Sequence, residues 1–113
     1  MIWLEPWSPV LEEHFPKRQE FIEFCEGWEK QLMTEVGPKH PLFGHQAKLI
    51  ARLYETDDAL FQLDDGRVAD VHLTWSKGPE PDPRWPVTAI WPSLDDWVRE
   101  ELVRYHREWL ENR

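Results

Sequence analysis

Between Ala47 and Trp75 apolar and polar side chains alternate, the period-2 signature of strands with one buried face. Ala47, Leu49, Ala51 and Leu53 share one face of a first predicted strand, about residues 47–54. Ala59, Phe61 and Leu63 share one face of a second, 58–63, and Ala69, Val71, Leu73 and Trp75 one face of a third, 67–75. Asp64-Asp65-Gly66 joins the last two. A two-residue Asp65-Gly66 loop would set Phe61 opposite Asp70 and mix the faces. A three-residue loop sets Phe61 opposite Ala69, so the pattern predicts a type I turn with Gly66 left-handed, closing a bulged hairpin.

The period changes to 3.6 on either side. Phe21, Cys25, Trp28 and Leu32 form one stripe, with Ile22 and Met33 beside it, predicting a helix over about 16–36 that stops at Gly37-Pro38. Leu94, Trp97, Val98, Leu102, Tyr105 and Trp109 form another over about 93–112, opened by Ser93 and Asp96 at capping-box spacing. Ser8-Pro9 has the form of an N-cap and first helical residue, predicting a short helical turn through about His14. Val87–Trp91 is the candidate fourth strand, 87–91.

These elements predict one α+β domain, residues 1–113: an antiparallel sheet of three to four strands packed on two helices. Both helices are expected on the single apolar sheet face, in two layers. The opposite face, with Lys48, Arg52, Tyr54, Gln62, Asp70, His72 and Thr74, is then at least partly open to solvent.

Charge narrows the partners. With 22 acidic against 13 basic residues the net charge is −9, which argues against nucleic acid and anionic membranes and favours a basic protein. Cys25 is the only cysteine, so no internal disulfide forms. No apolar run reaches the length of a membrane span and the start lacks the features of a secretory signal, so the expected location is cytoplasmic. Eight tryptophans in 113 residues, several in polar or proline-rich context, point to a surface that meets something.

Chemistry is sparse. His14, His40, His45, His72 and His106 follow no metal-ligand spacing, no glycine loop cradles phosphate, and Cys25 lies on a core stripe. No catalytic residue, metal or cofactor is assigned. Asp70 and His72, two apart on a strand and about 7 Å between Cα atoms, are the only acid–base pair that can be placed. Ser76 to Pro86 holds four prolines and one glycine, a stiff surface loop with little entropy to lose on binding.

The runs Asp65-Gly66-Arg67-Val68-Ala69, Val71-His72-Leu73-Thr74-Trp75 and Glu80-Pro81-Asp82-Pro83-Arg84-Trp85-Pro86-Val87-Thr88 resemble a motif shared by small uncharacterised bacterial proteins of this size. The resemblance covers roughly residues 50–92 and implies no activity. In size and acidity alone the chain also resembles the immunity proteins of bacterial toxin systems.

The leading expectation is a non-enzymatic protein-binding domain, in its sharpest form a toxin-neutralising protein facing a basic toxin. Its candidate binding residues are Asp70, His72, Thr74, Glu80, Asp82, Arg84 and Trp85. One alternative is a small-molecule-binding or enzymatic domain using Asp70, His72, Thr74 and Arg84 in a pocket between sheet and loop. Another is a structural subunit or homodimer that buries Trp85 and Trp91. The Trp75 ring is expected in the core, where truncation to Ala would cost about 3–5 kcal/mol. Trp85 is expected to pin the loop, with Arg84 pairing to Asp70 or Glu80.

Overall fold

The computed structural model describes residues 3–53 and 55–113. Five strands form one antiparallel sheet in sequence order: β1 (Trp7–Pro9), β2 (Ala47–Leu53), β3 (Asp58–Leu63), β4 (Val68–His72) and β5 (Val87–Trp91). A 3₁₀ turn (Glu12–His14) and α1 (Arg18–Glu35) separate β1 from β2. After β5 the chain runs through α2 (Leu94–Trp97), a π-helical turn (Val98–Leu102) and α3 (Val103–Glu111). No helix among the described residues is long and apolar enough to cross a membrane.

The hairpin follows the sequence pattern. Phe61 pairs with Ala69, Gly66 has φ of 92°, and the Leu63 N–H donates to the Arg67 carbonyl at 2.9 Å. The Ser93 cap also forms, its hydroxyl accepting from the Asp96 N–H at 3.2 Å.

Three expectations give way. The helices do not share a face: α1 covers a core of Trp28, Leu32, Leu49, Phe61, Ala69 and Val71 on one side of the sheet. The C-terminal helices cover Trp7, Ala51, Leu60, Val68, Trp97 and Leu102 on the other, making three layers. The cause is a bulge in β2. Leu49 opposes Phe61, but Ala51 opposes Leu60, so one extra residue turns Ala51 and Leu53 to the second face and brings Arg52 to the first. The Arg52 guanidinium then lies 4.0 Å over the Trp28 ring. Leu60 and Val68, isolated apolar residues on the nominally polar side, complete this second core; Tyr54, expected there too, lies outside the described residues.

Ser8 and Pro9 are strand rather than helix. Trp7, Ser8 and Pro9 pair with Leu53, Arg52 and Ala51, which raises the strand count to five. Proline is tolerated because β1 is an edge. What holds this strand is Trp7, 2% exposed, whose ring packs edge-on against Trp97 at 5.0 Å and Tyr105 at 5.7 Å.

Trp75 does not enter the core. It has φ of 58°, so β4's alternation is broken there, and the ring stands 46% exposed with its edge on Trp28.

Candidate functional site

The loop from Ser76 to Pro86 is tied down by a carboxylate that the sequence reading passed over. Glu35, the last residue of α1, is fully buried and accepts four hydrogen bonds. Gln31 Nε2 donates at 2.7 Å, Thr74 N and Oγ1 at 2.7 and 2.9 Å, and Trp75 N at 2.9 Å. These donors stand in for water, which is how a buried carboxylate is tolerated. The Glu35 carbonyl also accepts from Glu80 N at 2.9 Å. Glu80 approaches so closely that a Cβ on Gly37 would meet its carbonyl oxygen at 2.8 Å, so Gly37 is needed for that fit.

The far end of the loop is held by His40, 4% exposed. Its Nδ1 accepts from Leu42 N at 3.0 Å, which puts the ring proton on Nε2, where it donates to the Pro86 carbonyl at 2.9 Å. Between these anchors Asp82 accepts from the Arg84 backbone and side chain at 2.6–3.1 Å. That pairing holds the Asp82 carboxyl below its ordinary value and raises the Arg84 guanidinium. Trp85 is left 43% exposed, followed by buried Pro86 and by Val87, 49% exposed.

Beyond Pro86 the loop becomes β5, an edge of the sheet, and beside it lies a cleft of about 160 Å³. Asp58, Asp70 and His72 line it from the sheet, Val87, Ala89 and Trp91 from β5, and Glu101 and Tyr105 from the helices. Register explains the grouping: His72 opposes Val87 and Asp70 opposes Ala89, so all four face the C-terminal helices. Burial pushes the Asp70 carboxyl up to about 7, opposed by a 3.4 Å hydrogen bond from Trp97 Nε1 and reinforced by Asp58 and Glu101. Arg104 offers little relief because Glu101 and Glu108 hold it at 2.6 and 2.9 Å. Burial, with Asp70 and Asp58 nearby, likewise pushes the Tyr105 hydroxyl up to about 12. His72 Nδ1 lies 3.2 Å from Asp58 Oδ1.

The seven candidate residues therefore fall into three places. Asp70 and His72 line the cleft; Thr74 and Glu80 meet at 2.9 Å beside Glu35 on the α1 side; Asp82, Arg84 and Trp85 form the loop tip. The expected pocket joining Asp70, His72, Thr74 and Arg84 does not form, because β4 ends at His72 and Thr74, beyond it, bonds to Glu35 on the α1 side. Arg84 pairs with Asp82, not with Asp70 or Glu80. The loop is held by hydrogen bonds to Glu35 and His40, and Trp85 is 43% exposed. Trp91 is used internally, donating to Glu100 at 2.8 Å.

One sign of Glu35 was available in the sequence: a carboxylate at a helix C-terminus opposes the helix dipole and needs compensation. Two other features carry less. His45, Asp64 and Asp65 bring ligand-type atoms within 4.8 Å, but these groups brace the hairpin turn through His45–Asp64 and Asp65–Arg67 bonds of 2.8 Å. A roomier groove of about 540 Å³ runs between Glu5–Ser8, Glu55 and Trp109, on the side of the opposite edge strand.

The chain matches no protein-family model, no curated protein and no solved structure.

Proposed function

We propose that this chain is a non-enzymatic, cytoplasmic protein-binding domain for a basic partner, in its sharpest form a toxin-neutralising protein of the immunity type. Its binding side is formed by the proline-rich loop and β5. The observation that carries the reading is Trp85, an exposed indole on a backbone fixed by Glu35 before it and His40 after it. Such a ring has little left to lose in ordering and can fill a partner's pocket as an interface anchor. Around it the molecule's negative charge would speed encounter with a basic surface. The stretch carrying the motif resemblance supplies the hairpin, the loop and the start of β5.

The test compares wild type and Trp85→Ala as baits in extract of the native host. The reading expects a stoichiometric basic partner that wild type retains and the variant loses, with both proteins melting alike. If the variant melts far lower, Trp85 is a structural pin; if both retain the same partner, the anchor lies elsewhere.

A second reading has one observation in its favour. Asp70, ionising near neutrality beside His72 in a cleft, has the form of a proton-exchanging group for a small cationic ligand. Saturable binding of a small amine, lost in Asp70→Asn while Trp85→Ala is silent, would select that reading over the first.

A further inference from the structure

The outer edge of β5 pairs with no strand among the described residues. β4 pairs with one side of Val87–Trp91, and no backbone hydrogen bond joins the strand's other side to a described residue. Its sequence, Val-Thr-Ala-Ile-Trp, has strong strand propensity and carries none of the charges that usually guard an edge. Pro86 and Pro92 limit it to five residues. An edge of this kind is a template for one more strand.

We propose that this edge is completed by an extended segment of a basic partner protein, with Lys or Arg at alternate positions reaching over Ala89 toward Asp70 and Glu101. The inference rests on the protein-binding reading and names its surface and partner chemistry. An added strand would lie one strand spacing from β5 and two, about 10 Å, from Asp70. Ala89, exposed and small, is the residue between them, and the cleft above it gives a long basic side chain room to lie along apolar surface with its charged end among carboxylates. Trp85 and Val87, both exposed, would meet the same strand at one end.

Charge selects the occupant. Pairing β5 with β5 of a second copy would bring two such carboxylate groups together on two chains of net charge −9. An acidic segment faces the same repulsion.

The test uses the whole ¹⁵N-labelled protein and three heptapeptides: alternating Lys-Val, alternating Glu-Val, and a Lys-Val peptide interrupted by two prolines. Expected are submillimolar binding of the first alone, shifted and exchange-protected amides within Val87–Trp91, and at least tenfold weaker binding to Ala89→Lys, whose own charge fills the cleft. Equal binding of the proline peptide means electrostatic adsorption without strand addition and overturns the proposal. So does no binding at millimolar peptide, a footprint elsewhere, or sedimentation of the free protein as a dimer that Ala89→Lys dissociates. These outcomes leave the protein-binding reading to the Trp85→Ala comparison, so the two fail separately.

Discussion

Replacing Asp70 with Asn removes a charge that the fold resists while keeping the side chain's size and an oxygen for Trp97 Nε1. The Asp70 carboxyl moves from an ordinary 3.8 to about 7 on folding. Because the folded pKa is the higher, the native state holds a proton that the unfolded chain has released between those values. Asp70's favourable contribution is thus full below about pH 4 and disappears as pH rises through 7. At roughly 1.4 kcal/mol for each tenfold change in proton affinity, the full displacement is worth about 4 kcal/mol. Water reaching the cleft reduces that, so about 2–4 kcal/mol is expected, or on the order of 1–2 M in urea midpoint for a domain of this size. Urea titrations of wild type and Asp70→Asn at pH 4.5 and pH 8 provide the assay. Asp58, His72, Glu101, Arg104 and Tyr105 are common to both proteins, so the change in their stability difference reports Asp70 and its coupling to them. The variant should lead by no more than about 1 kcal/mol at pH 4.5, where the loss has only begun, and by the full amount at pH 8. A gap that stays constant with pH, or a wild type more stable at pH 8, would refute the burial argument.

Glu35→Ala should cost about 3–5 kcal/mol and Glu35→Gln about 1–3, because four donors lose an acceptor in the first and the amide cannot accept from all of them in the second; denaturant titration checks both. Hydrogen exchange in Glu35→Ala should rise across residues 74–80 before it rises in β3. Trp97→Ala, removing a fully buried ring, should cost about 3–5 kcal/mol, whereas Trp85→Ala should stay within about 0.5 kcal/mol of wild type. Trp75→Ala should fall between them at about 1–2 kcal/mol, since that residue, as exposed as Trp85, also packs its ring against Trp28 at 5.0 Å and donates from Nε1 to Asp57 at 2.9 Å; calorimetry on the three variants orders them.

The parts of the fold legible in the sequence are those set by local pattern. Gly66 and the alternation on either side of it settle the hairpin register, and Ser93 with Asp96 settles the start of the last helical run, because both depend on neighbours a few residues away. The second core was hidden for a specific reason. It needs the bulge near Ile50, which alternation does not reveal, and it rests on Leu60 and Val68, each a single apolar residue in a polar row. β1 was hidden because Ser-Pro opens helices and also ends edge strands, and only Trp7's fit against Trp97 and Tyr105 decides between them. Within the site, pairing Asp70 with His72 required only strand geometry. Joining them to Thr74 and Arg84 assumes a regular strand through Thr74, and β4 stops at His72. Glu35 and His40 act on residues 39 to 46 positions away, so their role exists only in the folded chain.

The claim that the loop and β5 form a pre-ordered binding side is tested most directly by the exchange footprint of an identified partner. Hydrogen exchange of the intact protein, free and partner-bound, should show new protection concentrated in residues 82–91, with the loop already protected at its Glu80 and Trp85 amides before the partner is added. Protection on α1 or around β1, with 82–91 unchanged, would contradict it.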